Sequence, residues 1–166
     1  MNKRIGILTG GGDVPGLNSV IKEVTYRATE NDREVIGIRR GWEGLTHVNL
    51  DDPESKKRYV LPLDRGNTRT VDRTGGTFLH SSRTNPLRMK AAPDFLAGVD
   101  FPKAISVKKG VSSETMDLSS QVVKNIERLG IDFLIAIGGD DTLSYAAHLD
   151  KLGVPVDRVG SSTGKL

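Results

Sequence analysis

Apolar residues in the first forty positions follow a pattern that predicts a strand, a helix and a second strand. The run RIGILT at 4–9 is short and mostly apolar, which is typical of a buried strand. A helix is predicted from about 16 to 30, because its apolar residues keep the spacing of one helical face; they are Leu17, Val20, Ile21, Val24 and Ala28. The run EVIGI at 34–38 predicts the second strand. A strand-helix-strand unit of this kind indicates parallel neighbours in an α/β sheet.

A second unit of the same kind is predicted near the end of the chain. A helical stripe over 113–128 ends at Gly130, and the run IDFLIAI at 131–137 lacks the polar alternation of a half-exposed strand. We therefore expect 131–137 to be a central strand, followed by a helix over about 142–152 and a strand at 154–156. The predicted fold class is α/β, with a doubly wound, mostly parallel sheet and helices on both faces, a Rossmann-like arrangement of three layers.

The region between the two units has no clear periodicity. DDPESKKR at 51–58 predicts a charged, turn-rich surface segment, and RYVLPL at 58–63 a short strand. The remaining residues up to about 102 are typical of loops.

Composition excludes several classes of protein. The chain has 166 residues, 36% of them hydrophobic, with 24 basic and 21 acidic residues and no cysteine. This balance excludes a disordered polyampholyte and a disulfide scaffold, and no apolar run is long enough to cross a membrane. Basic residues are scattered and only 5% of residues are aromatic, so we expect neither a nucleic-acid surface nor a membrane partner. We expect a cytoplasmic protein.

Glycines and aspartates follow two of the predicted strands and precede the two best-defined helices. The sequences are TGGGD at 9–13 and IGGDD at 137–141. Glycines let the backbone approach a ligand, and the N–H groups at a helix N-terminus bind anions. In an open parallel sheet, ligands bind at the carboxyl ends of the strands, so both loops are expected to face one crevice. The alternative is that each loop is only a tight turn.

The side chains near these loops suggest how a phosphate ligand would be held. An aspartate beside a phosphate repels it unless a cation intervenes, and Mg²⁺ binds through one or two carboxylates together with phosphate oxygens. Asp140 is therefore a candidate Mg²⁺ ligand, and Arg83 a candidate phosphate-binding fork. Trp42 is either a core residue or a ring that faces a ligand. The three histidines, at 47, 80 and 148, have no metal-ligand spacing.

Dinucleotide binding is the competing interpretation. The glycines at 10, 12 and 16 are spaced one residue too far apart for the G-x-G-x-x-G motif. The second strand is followed by Arg39 and Arg40 rather than by the acidic residue that binds a ribose, which suits at best the 2′-phosphate of NADP. The sequence GSSTGKL at 160–166 is too short between its glycines for a nucleotide-binding P-loop.

Three motifs in order resemble the phosphofructokinase family of the bacterial ATP-dependent and pyrophosphate-dependent type. GGDVPGLN at 11–18 resembles its first phosphate loop, GGTFLHSSRTNP at 75–86 its arginine segment, and IAIGGDDTL at 135–143 its metal-binding loop. The resemblance implies phosphoryl transfer from pyrophosphate or ATP to fructose 6-phosphate with Mg²⁺ as cofactor, in a homo-oligomeric parent enzyme. It implies Asp140 as the metal ligand and a donor-binding set, which is Gly11, Gly12, Trp42, Arg83, Gly139, Asp141 and Thr142. The carboxylate of Asp141 resembles the pyrophosphate users of the family.

The resemblance covers the N-terminal part of the family only. We expect residues 1–156 to form the donor-phosphate domain and 157–166 an atypical tail, because the tail does not match the family segment that carries the catalytic base. We therefore expect the chain to be truncated near 156, assign none of its residues as catalytic, and expect little activity of it alone. A non-catalytic phosphate- or nucleotide-binding module and an NADP-binding domain remain as alternatives.

Overall fold

The computed structural model of the chain describes residues 3–12, 15–108 and 111–160. Its strands are β1 (Arg4–Thr9), β2 (Glu34–Ile38), β3 (Val60–Leu63), β4 (Lys103–Lys108), β5 (Val111–Met116), β6 (Phe133–Gly138) and β7 (Val156–Gly160). Its helices are α1 (Leu17–Glu30), α2 (Trp42–His47), α3 (Pro53–Tyr59), α4 (Ser119–Arg128) and α5 (Asp140–Lys151). Single 3₁₀ turns lie at Val71–Arg73, Pro86–Arg88 and Asp94–Leu96.

Five strands form the main sheet, in the order β3-β2-β1-β6-β7. β2, β1, β6 and β7 are parallel, and β3 is antiparallel to β2 at one edge. Pro62 lies in β3, and an edge strand tolerates a proline because half of its N–H groups need no partner in the sheet. β6 is paired on both sides, which confirms the prediction that the apolar run after Gly130 is an interior strand.

Helices cover both faces of this sheet, because successive side chains of a strand point to opposite faces. On one face, Leu8 and Leu134 pack with residues of α2, α4 and α5. On the other face, Ile7 and Ile137 pack with Leu17 and Ile21 of α1. The doubly wound α/β fold is thus confirmed.

The direction of winding reverses between β1 and β6. From β1 the chain passes through α1 to β2, whereas from β6 it passes through α5 to β7 on the opposite side of the sheet. α1 and α5 therefore leave from neighbouring parallel strands toward opposite faces. Such a reversal opens a crevice at the carboxyl ends of the two strands, which is where open α/β sheets bind ligands.

Two local predictions were wrong. The predicted helix over 113–128 begins only at Ser119, because 111–116 pairs with β4 in an antiparallel hairpin. The Asp117 carboxylate accepts a hydrogen bond from the Ser119 N–H at 2.8 Å, at the true start of α4. The segment at 53–59 is the helix α3 rather than a turn, with Asp52 as its N-cap.

The domain boundary also differs from the prediction at 156. β7 pairs with β6 from Leu134↔Val156 to Gly138↔Gly160, so residues 157–160 belong to the sheet rather than to a tail. The remainder of the predicted tail, 161–166, lies outside the described residues, as do Asp13 and Val14. Among the described helices, none is long and apolar enough to span a membrane.

Candidate functional site

The two glycine-aspartate loops meet at the carboxyl edge of the sheet. They follow β1 and β6, which are adjacent and parallel, and the Gly10 N–H donates to the Ile137 carbonyl at 2.8 Å. A Cβ at Gly138 would lie 2.7 Å from the Gly10 carbonyl oxygen, and one at Gly11 would lie 3.4 Å from the Gly139 nitrogen. The two loops therefore form one continuous surface, as expected of loops that face the same site.

The fold requires glycine in these loops for two different reasons, close packing and backbone conformation. Gly10 and Gly138 are needed for packing, because a Cβ at either position would lie under 3.0 Å from Thr142. Gly11 has a φ of +81°, which favours glycine.

Neither reason applies to Gly12 or Gly139. An added Cβ at either position would meet none of the described residues within 4 Å, and neither glycine has a left-handed backbone. Their missing side chains leave open space over main-chain atoms, next to the N-terminus of α5 at Gly139. The fold does not require glycine there, whereas a ligand that approaches the backbone would.

Asp140 and Asp141 lie in the first turn of α5, and both are exposed. Neither carboxylate has a hydrogen-bond or ion-pair partner among the described residues. No group of three histidine, cysteine, aspartate or glutamate side chains within the described ranges is arranged to hold a metal. A cation bound here would need other ligands in addition to these carboxylates.

The segment that carries Arg83 is fixed to the same edge. The Thr9 hydroxyl donates to the His80 carbonyl at 2.9 Å and lies 2.7 Å from the Thr77 hydroxyl. The Ser82 hydroxyl donates to the Arg40 carbonyl at 2.7 Å. Arg83 follows directly, exposed and without a partner in the part of the chain that the structure describes. The structure thus brings Arg83 to the end of the sheet that holds the two loops.

Asn18 connects this segment to the first phosphate loop, and sequence reasoning did not single it out. It is buried in the first turn of α1, where its amide donates to the Thr74 carbonyl at 3.1 Å and its oxygen accepts from the Phe78 N–H at 2.7 Å. In the sequence, the only signal for this residue was an asparagine that closely follows the first glycine loop, in the predicted first turn of the helix. Its bonds hold residues 74–78 against α1.

Trp42 and Thr142 lie beneath the loops rather than on the surface. Trp42 is 2% exposed and Thr142 is 5% exposed, and the indole N–H donates to the Thr142 carbonyl at 3.3 Å. The Trp42 ring packs edge-on against Tyr145, with 4.8 Å between ring centroids. The Trp42 ring is thus a core residue, one of the two roles that the sequence left open, and it lacks the exposed surface that a direct ligand contact needs. The expected role of Thr142 in donor binding stays a prediction. Both support the loops from below.

Tyr145 belongs to an aromatic layer under the loops. Burial raises the pKa of the Tyr145 phenol, which donates a hydrogen bond to the Ser119 hydroxyl at 3.2 Å. Tyr145 also stacks on the His148 ring, with 5.9 Å between centroids. A rigid aromatic layer therefore holds the start of α5, and with it Asp140 and Asp141.

Comparison with known proteins gives a consistent result. Residues 4–162 match the family model of phosphofructokinase. The chain is 38% identical over 162 residues to a pyrophosphate–fructose 6-phosphate 1-phosphotransferase of Dictyoglomus thermophilum, a match that covers 98% of this chain and 36% of the relative. It is 37% identical over 155 residues to ATP-dependent 6-phosphofructokinase 2 of Clostridium perfringens, covering 93% of this chain and 36% of that protein. The chain thus spans about a third of the length of these relatives.

Solved structures support the same fold. The phosphofructokinase of Pichia pastoris in the T-state superimposes with a TM-score of 0.67 at 22% identity, covering 97% of this chain and 16% of that one. A pyrophosphate-dependent phosphofructokinase from Marinobacter aquaeolei superimposes with a TM-score of 0.58 at 14% identity, covering 95% and 32%.

Proposed function

The chain belongs to the phosphofructokinase family, and we propose that it forms the donor-phosphate site of a phosphotransferase that moves a phosphoryl group from pyrophosphate, or ATP, to fructose 6-phosphate. The observation that carries this proposal is the joined pair of loops, in which Gly12 and Gly139 leave open space over the backbone. The proposal extends to a cytoplasmic, homo-oligomeric enzyme as the context of this domain.

The donor would be held by main-chain and arginine donors. Backbone N–H groups at the N-termini of α1 and α5 suit phosphate oxygens, because a helix start presents unpaired N–H groups and a positive dipole end. The free guanidinium of Arg83 suits two oxygens of one phosphate. Phosphoryl transfer depends mainly on such positioning and on charge neutralisation.

The carboxylates of α5 fit a role in binding Mg²⁺. Asp140 and Asp141 are exposed and unpaired within the described residues, and Mg²⁺ prefers carboxylate oxygen combined with phosphate and water. The absence of a three-residue cluster in the described ranges fits this arrangement, since substrate oxygens would complete the set. Asp140 is the proposed ligand. When bound, Mg²⁺ would neutralise charge on the donor phosphates.

The choice of donor is proposed to depend on Asp141. A carboxylate beside the end of pyrophosphate would lie where the α-phosphate of ATP must pass, so it repels ATP more than pyrophosphate. The relatives include both donor types by name, so similarity alone does not decide between them.

NADP binding is disfavoured by the geometry after β2. Arg39 and Arg40 would be the 2′-phosphate ligands, but the Arg40 guanidinium already pairs with Glu43 at 3.0 Å. A non-catalytic phosphate-binding module uses the same loops as the proposed enzyme, and it differs only in what the whole protein does.

Calorimetric titration of the chain separates these possibilities. We expect saturable binding of pyrophosphate that requires Mg²⁺, weaker binding of Mg-ATP and none of NADPH. Binding of NADPH alone would contradict the proposal, and so would pyrophosphate binding that is indifferent to Mg²⁺.

A further inference from the structure

His80 has a backbone conformation that most side chains avoid. Its φ is 58°, in the left-handed region, where the Cβ crowds the neighbouring peptide groups. Among the described non-glycine residues, only Asp32 (φ 51°) and Arg40 (φ 60°) share this conformation.

Main-chain groups hold His80 in this conformation. Its N–H donates to the Thr77 carbonyl at 3.0 Å, and its carbonyl accepts from the Thr9 hydroxyl at 2.9 Å. Glycine could make both bonds without strain. The imidazole itself is exposed and has no hydrogen bond, ion pair or ring contact with the residues that the structure describes. The fold therefore has no evident use for this side chain.

His80 lies next to the two glycine-aspartate loops, where a ligand would bind. Thr9, which bonds its carbonyl, is the last residue of β1 and directly precedes Gly10. The preceding residue, Leu79, accepts a hydrogen bond from the Arg40 N–H at 2.8 Å, and Arg83 follows three positions later. His80 thus lies at the carboxyl edge, between the end of β1 and the turn after β2.

We propose that the imidazole of His80 binds the phosphate-bearing ligand of this site through a ring N–H, alongside Arg83. The inference rests on the proposed function, because it takes the ligand to be the donor phosphate. An imidazole carries at least one N–H donor in either protonation state, so the contact does not require a charged ring. Strained backbone at a ligand site is retained when the side chain it carries is used.

The test compares variants at two left-handed positions in the 166-residue chain. His80→Gly removes the ring and relieves the backbone, and His80→Asn removes the ring but keeps a residue that tolerates this conformation. Asp32→Gly is the matched control, because Asp32 is exposed in the turn between α1 and β2, at the amino edge of the sheet. Affinity for pyrophosphate with Mg²⁺ is measured by calorimetry, and Tm by thermal unfolding.

We expect pyrophosphate to bind about fivefold to tenfold more weakly to both His80 variants, as for the loss of one hydrogen bond to a charged group. Asp32→Gly should bind like the wild type, and the Tm of His80→Gly should equal or exceed that of the wild type. Unchanged affinity in both His80 variants would overturn this inference and leave the proposed function standing. A fall in Tm of more than about 4 °C in His80→Gly would also overturn it, because the fold would then need the ring. Absence of pyrophosphate binding by the wild type would overturn both.

Discussion

At the amino edge of the main sheet Arg4 pairs with Glu34 and Asp132, whereas Asp140, Asp141 and Arg83 at the carboxyl edge have no partner among the described residues. The Arg4 guanidinium donates to the Glu34 carboxylate at 2.6 Å, and the Arg4 backbone N–H donates to the Asp132 carboxylate at 2.7 Å. Arg128, at the end of α4, pairs with Asp51. The three carboxyl-edge groups have no partner among the described residues.

This difference separates charges that the fold uses from charges left for a ligand. Both edges have exposed charged residues, so exposure alone does not distinguish them. Paired charges at the amino edge connect separate elements of the fold, while the unpaired charges lie at the edge where Gly12 and Gly139 leave backbone uncovered. We therefore expect substitutions at the two edges to affect different measurements.

The largest expected effect is on stability, at the junction of the two loops. Gly138→Ala places a Cβ 2.7 Å from the Gly10 carbonyl oxygen, and a backbone atom cannot move aside as a side chain can. We expect a loss of about 1–3 kcal/mol in the free energy of unfolding, measured by denaturant titration.

Gly12→Ala is its matched control, because a Cβ there meets nothing within 4 Å in the part of the chain that the structure describes. It should change the free energy of unfolding by less than about 0.5 kcal/mol and still weaken pyrophosphate binding. Equal destabilisation by both changes would contradict the distinction between packing glycines and ligand-facing glycines.

The next effect concerns the metal. Asp140→Asn should weaken Mg²⁺-dependent pyrophosphate binding by about 10- to 100-fold, because the amide loses the negative charge that attracts the cation. The free energy of unfolding should fall by less than about 1 kcal/mol, since the carboxylate has no partner among the described residues and loses only its interaction with the dipole of α5. Isothermal titration at fixed Mg²⁺ measures the first quantity. Full binding by the variant would remove Asp140 from the proposal.

A smaller effect should appear in the choice of donor. Two unit charges about 4 Å apart at an effective dielectric constant of about 20 interact by about 4 kcal/mol. Half of this energy disfavours ATP by roughly thirtyfold, so Asp141→Gly should improve Mg-ATP binding relative to Mg-pyrophosphate by about that factor. The ratio of the two dissociation constants is the measurement. If Asp141 binds a second Mg²⁺, the change would weaken both donors instead.

The smallest effect is expected at the amino edge. A hydrogen bond from Arg128 holds the pKa of Asp51 below its ordinary value, so the pair stabilises the fold above about pH 4 and loses this contribution as the pH falls through the lowered pKa. Asp51→Asn should lower the Tm near pH 7 by less than about 2 °C, and wild type and variant should converge at low pH. Pyrophosphate affinity should stay the same; a change would show that the two edges are coupled.

Local pattern in the sequence determined the parallel strands and the two loops. The apolar runs of β1, β2 and β6 and the one-sided stripe of α1 indicated these elements, because burial fixes the spacing of apolar residues within one element. The glycine-aspartate sequences after β1 and β6 indicated an anion site, because glycine and a helix start have direct backbone consequences.

The tertiary structure decided what depends on contacts between distant residues. Pairing with β4 made 113–116, which the sequence assigned to the following helix, part of the strand β5, and hydrogen bonds of Thr9 and Asn18 brought the Arg83 segment to the loops. Packing on Tyr145 placed Trp42 in the core, where the sequence left two roles open. A sequence pattern reports which face of an element is buried, but the partner that buries it is chosen only when the whole chain folds.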